Sequence, residues 1–240
     1  MISTGLKTAR VAVLAGATAL ALALGPAIGT AQAGPYPPSP PQGTGTLYGD
    51  PTAAARFWRY QELDDDCVPM AVADVVGQLT GDQPSEQAIV AQAESTPSTV
   101  HKGPIYTKPG KHKGGDGTSF ADEPALLAHY GIHAVNSYHE DGPKGGAPTP
   151  MDVLEQALAT GRKVIVGVNA ELIWGKPAKD KAASGRPEAN HAVVVTGIDS
   201  ATGVVHLNDS GSTRGRDEQV PIDVFVRSWA SSGDQMTATD

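Results

Sequence analysis

Residues 64–79 read DDDCVPMAVADVVGQL, and their apolar residues recur at helical spacing. Aspartate is a common N-cap and proline is tolerated in the first turn, so the pattern predicts a helix that begins near Cys67. Cys67 is the only cysteine of the chain. The N-terminus of a helix favours a thiolate over a thiol, so this position is typical of a cysteine nucleophile, although a single cysteine can also be a plain core residue.

Further helices are predicted after this one, and the chain then changes to the spacing of β-strands. The helices are expected at 84–90, 121–130 and 149–161, and the strands at 163–168 (KVIVGV), 192–197 (AVVVTG) and 204–207 (VVHL). The strands are short and β-branched, and a short connection between the last two favours an antiparallel hairpin. The predicted fold class is α+β, with N-terminal helices packed on an antiparallel β-sheet.

The first 33 residues have the pattern of a secretory signal peptide. Lys7 and Arg10 precede the uncharged stretch 11–24, which is too short to span a bilayer, and residues 31–33 (AQA) form a small-x-small cleavage site. Residues 34–50 are rich in Pro and Gly and are predicted to be a linker. We therefore expect a secreted protein whose domain covers residues 51–240, with retention in the cell envelope as an alternative.

Composition excludes several other classes of protein. The 240 residues are 40% hydrophobic and 18% charged with a formal net charge of -8, which argues against a coiled coil, a polytopic membrane protein and a nucleic-acid-binding surface. After signal cleavage we expect no stable membrane insertion, and we expect a monomer. The chain has no H-E-x-x-H motif and no paired cysteines, so we expect no metal and no cofactor.

A cysteine nucleophile needs a base, a residue that orients the base and donors for the oxyanion. Gln61 precedes the predicted helix and is a candidate oxyanion donor, and His191 stands at the start of a predicted strand as a candidate base. Asp209 follows the next strand and can orient His191 across the hairpin, with Asn208 as the alternative orienter. This order of residues is that of papain-like cysteine hydrolases.

Three stretches together resemble cysteine peptidase family 39 and its secreted relatives. They are residues 60–81 (YQELDDDCVPMAVADVVGQLTG), 190–197 (NHAVVVTG) and 207–211 (LNDSG), within a resemblance that covers 58–229. The founding members of the family cut bacteriocin precursors after double-glycine leaders. The resemblance implies a papain-like fold in which Cys67 is the nucleophile and His191 the base. It also implies that Asp209 orients His191 and that Gln61 lies in the oxyanion hole.

The chain also departs from the family. The family commonly has Gly-Pro after the cysteine and Pro after the aspartate, where this chain has Val68-Pro69 and Ser210-Gly211. Residues 64–66 place three carboxyl groups beside Cys67, which opposes thiolate formation.

The sequence has no phosphate-binding loop of the G-x-x-x-x-G-K-[ST] form, which a fused export ATPase would contain, so leader processing during export is not implied.

The lysines at 102, 108, 111 and 113 are predicted to lie in a solvated loop, with steering of an anionic substrate as the alternative.

Three hypotheses follow. The first is a secreted cysteine peptidase that acts on a peptide or protein substrate. The second is a non-catalytic binding module on a papain-like scaffold, which the acidic run favours. The third is a hydrolase of peptide or amide bonds in a cell-wall polymer.

Overall fold

The structure, a computed structural model, describes residues 45–110, 117–139 and 149–240. The predicted signal peptide (1–33), most of the predicted linker (34–50) and the lysines at 111 and 113 lie outside these ranges. Within them, none of the helices has both the length and the apolar character needed to cross a membrane.

A seven-stranded antiparallel sheet lies at the centre of the fold. The strands are β1 (Leu47–Gly49), β2 (Ala134–Ser137), β3 (Val164–Val168), β4 (His191–Asp199), β5 (Val204–Asn208), β6 (Glu218–Pro221) and β7 (Met236–Thr239). Their order is β2-β7-β3-β4-β5-β6, and β1 pairs with the C-terminal end of β4. The predicted hairpin is the pair β4 and β5. Because β1 is part of the sheet, the sheet begins inside the predicted linker.

Seven helices are present in the described residues, and four of them correspond to predicted ones. They are α1 (Pro51–Ala54), α2 (Cys67–Thr80), α3 (Glu86–Ser95), α4 (Glu123–Ala128), α5 (Pro150–Ala159), α6 (Ala170–Ile173) and α7 (Ile222–Trp229). The prediction of a helix starting near Cys67 is confirmed by α2, which is followed by its C-cap Gly81 in a left-handed conformation that glycine adopts readily. Helix α4 is shorter than the helix predicted at 121–130, because the 3₁₀ turn Phe120–Asp122 comes before it.

The sheet is covered on both faces, which explains why its central strands are apolar throughout. Ile165 and Val194 contact the core formed with α2, α3 and α4, whereas Val166 and Val193 contact the core formed with α5 and α7. Successive residues of a strand point to opposite faces, so each apolar run fills both cores. The predicted α+β class with helices on an antiparallel sheet is confirmed, and the second face carries helices as well.

This topology brings three chain segments to one end of the sheet. Helix α2 packs on β4, and it begins with Cys67. Strand β4 begins with His191, and Asp209 directly follows β5, the neighbour of β4. The antiparallel pairing of β4 with β5 therefore sets the start of one strand beside the end of the other.

A buried polar network joins Glu123, the first residue of α4, to Gln235 and to Thr237 of β7. Gln235 Nε2 donates to Glu123 Oε2 at 3.3 Å and to Thr237 Oγ1 at 3.2 Å, while Glu123 Oε1 and Gln235 Oε1 receive no hydrogen bond. Burial raises the pKa of Glu123 to about 8, although hydrogen bonds with Thr237 and Gln235 act to lower it. A protonated Glu123 supplies a donor within this network.

Glu123 is therefore expected to make the protein less stable at alkaline pH. Its pKa in the folded state lies above its ordinary value of 4.5, so its contribution is complete below pH 4.5 and is lost as the pH rises through about 8. Over that window the free energy of unfolding falls by up to about 1.4 kcal/mol per pH unit from this group. Denaturant unfolding should show that the free energy of unfolding decreases less between pH 6 and pH 9 in Glu123→Gln than in wild type.

Asp223→Asn is the control, since this carboxylate is exposed on α7 and pairs with Arg227. It should lose as much stability between the two pH values as wild type does. A loss in Glu123→Gln equal to that of wild type would contradict the assignment.

Candidate active site

His191 and Asp209 form a buried hydrogen-bonded pair at this end of the sheet. His191 Nε2 lies 2.6 Å from Asp209 Oδ1, and the side chains are 7% and 0% exposed. Asn208, the alternative orienter, instead donates from Nδ2 to Ala54 O and Asp74 Oδ2. The geometry therefore favours Asp209 over Asn208 as the partner of His191.

Cys67 lies next to His191. Both side chains line one cavity, and Cys67 contributes to raising the pKa of His191. Because Nε2 of His191 faces Asp209, the ring nitrogen left for Cys67 is Nδ1. Cys67 is half-buried and is a free thiol. The fold thus brings a thiol, an imidazole and a carboxylate together.

The charges of the pair stabilise each other. Burial acts to lower the pKa of His191, but the Asp209 carboxylate and the hydrogen bonds to Asp209 and Cys67 outweigh it and raise this pKa well above its usual value. Burial acts to raise the pKa of Asp209, but His191 and the nearby N-H donors lower it below its usual range. An imidazolium at His191 is the partner that a Cys67 thiolate requires.

Two tryptophans, for which the sequence predicts no role, fix the position of Asp209. Trp174 Nε1 donates to Asp209 Oδ2 at 2.8 Å, and its ring lies 5.8 Å from the His191 ring. Trp58 Nε1 donates to the Asp209 carbonyl oxygen at 2.6 Å. Trp174 therefore orients Asp209 and lies next to the His191 ring. The only sequence signal was that tryptophan occurs three times in the chain.

Gln61 is held beside the site by the turn that follows Asp209. The backbone N-H of Gln61 donates to the Ser210 carbonyl at 2.9 Å, and Ser210 Oγ donates to Gln61 Oε1 at 2.9 Å. Gln61 Nε2 donates one hydrogen to Leu63 O at 2.8 Å, which leaves the second for a ligand. Ser210, one of the departures from the family pattern, thus positions the predicted oxyanion donor.

The acidic run before Cys67 is less charged than its sequence indicates. Asp64 is exposed, and Asp65 Oδ1 accepts a hydrogen bond from Tyr106 at 2.7 Å. Asp66 is fully buried, and burial followed by its interaction with Glu86 raises its pKa to about 8.

Asp66 is consequently neutral at pH 7, which removes the negative charge nearest to Cys67 in the chain. Glu86, which contributes to the raised pKa of Asp66, accepts hydrogen bonds at Oε1 from the backbone N-H groups of Glu62 and Leu63. Asp66 occupies the N-cap position as predicted, but the expected capping bond is missing, because its side chain makes no hydrogen bond to the backbone of α2.

Cavities flank His191 on both sides. One of about 460 Å³ is lined by Cys67, Asp64, Phe120 and Asn190, and another of about 300 Å³ is lined by Gln61, Trp174 and Gly211. Asn190 and His191 line both. Both cavities therefore border the candidate base, and the larger one also borders Cys67.

Two other histidines pair with aspartates that do not line these cavities. His206, on β5, bonds through Nδ1 to Asp217 Oδ1 at 2.7 Å, and His133 bonds to Asp240. Within the described ranges, no group of three or more His, Cys, Asp and Glu side chains is arranged to hold a metal ion.

Comparison with known proteins gives a family match and similar proteins. The model of the Peptidase_C39 like family matches residues 46–237. The chain is 51% identical over 241 residues to the uncharacterized proteins Rv1268c of Mycobacterium tuberculosis and Mb1299c of Mycobacterium bovis, covering 99% of this chain and 97% of each relative. Among solved structures, a putative C39-like peptidase from Bacillus anthracis has a TM-score of 0.56 at 18% identity, covering 81% of this chain and 98% of its own. The last match concerns the fold alone.

Gly211 lies so close to His191 that a side chain there should disturb the site. A Cβ at Gly211 would lie 2.9 Å from His191 Cε1 and 3.1 Å from Trp174. The backbone of Gly211 does not have a positive φ, so alanine is excluded only by these contacts. We expect Gly211→Ala to displace His191 and to slow alkylation of Cys67 by iodoacetamide about 10-fold or more.

Gly110→Ala is the control, because a Cβ there meets no atom within 4 Å. It should react as fast as wild type. A Gly211→Ala protein that also reacts at the wild-type rate would show that this contact does not hold His191 in place.

Proposed function

Because the chain belongs to the Peptidase_C39 like family, we propose that it is an exported cysteine peptidase with Cys67, His191 and Asp209 as its triad. Family and fold point to a cysteine peptidase in general terms. We further propose which residues catalyse the reaction, that the protein is exported, and which class of substrate it cleaves.

The contact of His191 with both Cys67 and Asp209 is the observation that carries the proposal. One ring nitrogen lies 2.6 Å from Asp209 Oδ1, and the ring lines one cavity with Cys67, which contributes to raising the His191 pKa. A base that is oriented by a buried carboxylate and contacts a thiol is the arrangement that activates a nucleophile. His206 has an aspartate partner as well, but it contacts no thiol.

The reaction follows from the positions of these groups. His191 takes the Cys67 proton, and the thiolate attacks the carbonyl carbon of the substrate. The backbone N-H of Cys67 and the free hydrogen of Gln61 Nε2 stabilise the oxyanion. His191 then protonates the leaving amine, and a water molecule activated by His191 hydrolyses the acyl-enzyme.

The charge distribution around Cys67 supports catalysis over the alternative of a non-catalytic binding module. That alternative was favoured by three acidic neighbours of Cys67. Asp66 is neutral at pH 7 and Asp65 is hydrogen-bonded to Tyr106, which leaves Asp64 in solvent, where its field is screened. The opposition to thiolate formation is therefore weaker than the sequence indicates.

Export is proposed from the sequence of residues 1–33 alone. The positive residues, the apolar stretch and the AQA site have the order of a signal peptide, and these residues lie outside the described ranges. Mass spectrometry of the N-terminus of the protein recovered from a secreting host would test cleavage after Ala33.

The first test measures the reactivity of Cys67 without any substrate. At pH 6 an ordinary thiol is less than about 1% ionised, so a Cys67 thiolate stabilised by His191 should react with iodoacetamide about 10-fold or more faster than Cys67 in His191→Ala. His206→Ala is the matched control, because it removes a histidine that also pairs with an aspartate, and it should react as wild type does.

The second test identifies the reaction. Wild type should cleave members of a mixed-peptide library or release fragments from purified peptidoglycan, and Cys67→Ala should cleave neither. Equal alkylation rates in wild type and His191→Ala, or hydrolysis that persists in Cys67→Ala, would contradict the proposed triad. If wild type releases fragments from peptidoglycan but cleaves no member of the peptide library, its substrates are cell-wall polymers.

A further inference from the structure

Glu218 is a half-buried carboxyl group beside Asp209 that the proposed reaction does not use. It is the first residue of β6 and pairs with Leu207 of β5 in the antiparallel register. Since β5 ends at Asn208, this pairing places Glu218 next to the turn that holds Asp209. Glu218 Oε2 is buried and receives no hydrogen bond.

The strand register sets Glu218 beside Asp209, whose charge raises the pKa of Glu218, and the buried Glu218 Oε2 needs a hydrogen-bond partner. Two ionised carboxylates cannot form a hydrogen bond with each other, because each only accepts, and their charges repel. One proton between them removes the repulsion and supplies the missing donor. The arrangement therefore favours a hydrogen bond between one neutral carboxyl group and one carboxylate.

The proton of this pair belongs to Glu218. Asp209 accepts hydrogen bonds from Trp174 and Gly211 and contacts His191, all of which favour its ionised form and lower its pKa against the effect of burial. At Glu218, burial and then the charge of Asp209 raise the pKa to about 7. Shifts in opposite directions are expected for neighbouring carboxyl groups that share one proton.

Other charged groups near Glu218 come from three segments. They are His191 on β4, Arg214 and Asp217 in the connection between β5 and β6, and Lys176 after α6. Arg214 and His191 favour the ionised form of Glu218, although less than burial and Asp209 oppose it. Asp217 is bound to His206.

We propose that Glu218 is a positioning residue that holds Asp209 through this hydrogen bond and, through Asp209, controls how firmly His191 keeps its proton. This inference rests on the proposed function, because it concerns the base of that reaction. In its neutral form Glu218 donates to Asp209 and fixes its orientation. In its ionised form it adds a second negative charge behind Asp209, which strengthens the hold on the His191 proton.

The experiment compares two substitutions at Glu218. Glu218→Gln keeps a hydrogen-bond donor but cannot ionise, and Glu218→Leu removes both properties. The readouts are the NMR titration of the His191 ring and the alkylation rate of Cys67 between pH 5 and pH 9. Asp217→Asn is the matched control, because it changes the neighbouring carboxylate, and asparagine tolerates the φ of 51° at that position.

The three variants should separate by pH. Glu218→Gln should react as wild type does below pH 6, and its His191 ring should lose its proton about one pH unit lower than in wild type. Glu218→Leu should react about 10-fold more slowly than wild type below pH 6, because Asp209 has lost a charge-assisted hydrogen bond. Asp217→Asn should follow wild type throughout.

Two results would overturn the inference. One is a His191 titration in Glu218→Gln that matches wild type, and the other is a Glu218→Leu protein that reacts as fast as Glu218→Gln below pH 6. If Glu218→Leu does not fold, as judged by circular dichroism, the isosteric Glu218→Gln decides alone. Failure of the proposed function is recognised separately, by equal alkylation rates in wild type and His191→Ala.

Discussion

The buried bond between His191 and Asp209 is the constraint on which the site depends. It joins the first residue of β4 to the residue after β5, so it exists only when these strands pair in their observed register. A slip by one residue would turn the side chains of β4 to the opposite face. Burial strengthens this hydrogen bond, and it also makes a buried charge without hydrogen-bond partners costly. The remaining hydrogen bonds of the Asp209 carboxylate come from Trp174 and from the Gly211 N-H.

Buried carboxyl groups recur in this protein, and their protonation reduces the charge of its interior. Asp66, Glu123 and Glu218 all have pKa values raised by burial, to about 8, 8 and 7. For Asp66 and Glu218 a second carboxyl group nearby adds to the effect. The acidic composition therefore overstates the negative charge close to Cys67 and His191.

The departures from the family pattern are accommodated by contacts within the site. Ser210 binds Gln61 through both its hydroxyl and its carbonyl group. Gly211 leaves room for His191 and donates its N-H to Asp209. The residues that differ after Asp209 thus take part in positioning Gln61 and His191.

The sequence alone determined the helix at Cys67, the central strands, the fold class and the four candidate residues, because each depends on local periodicity or on a short motif. It missed β2, β6, β7 and α7, since short strands such as MTAT and EQVP have no apolar run and are defined by their partners. Tertiary structure agreed with the preference for Asp209 over Asn208 that the resemblance implied, and it alone placed Trp174 next to His191 and set Glu218 beside Asp209. These features depend on distances between residues far apart in the chain and on burial, which sets the charge of a carboxyl group and cannot be seen in the order of residues.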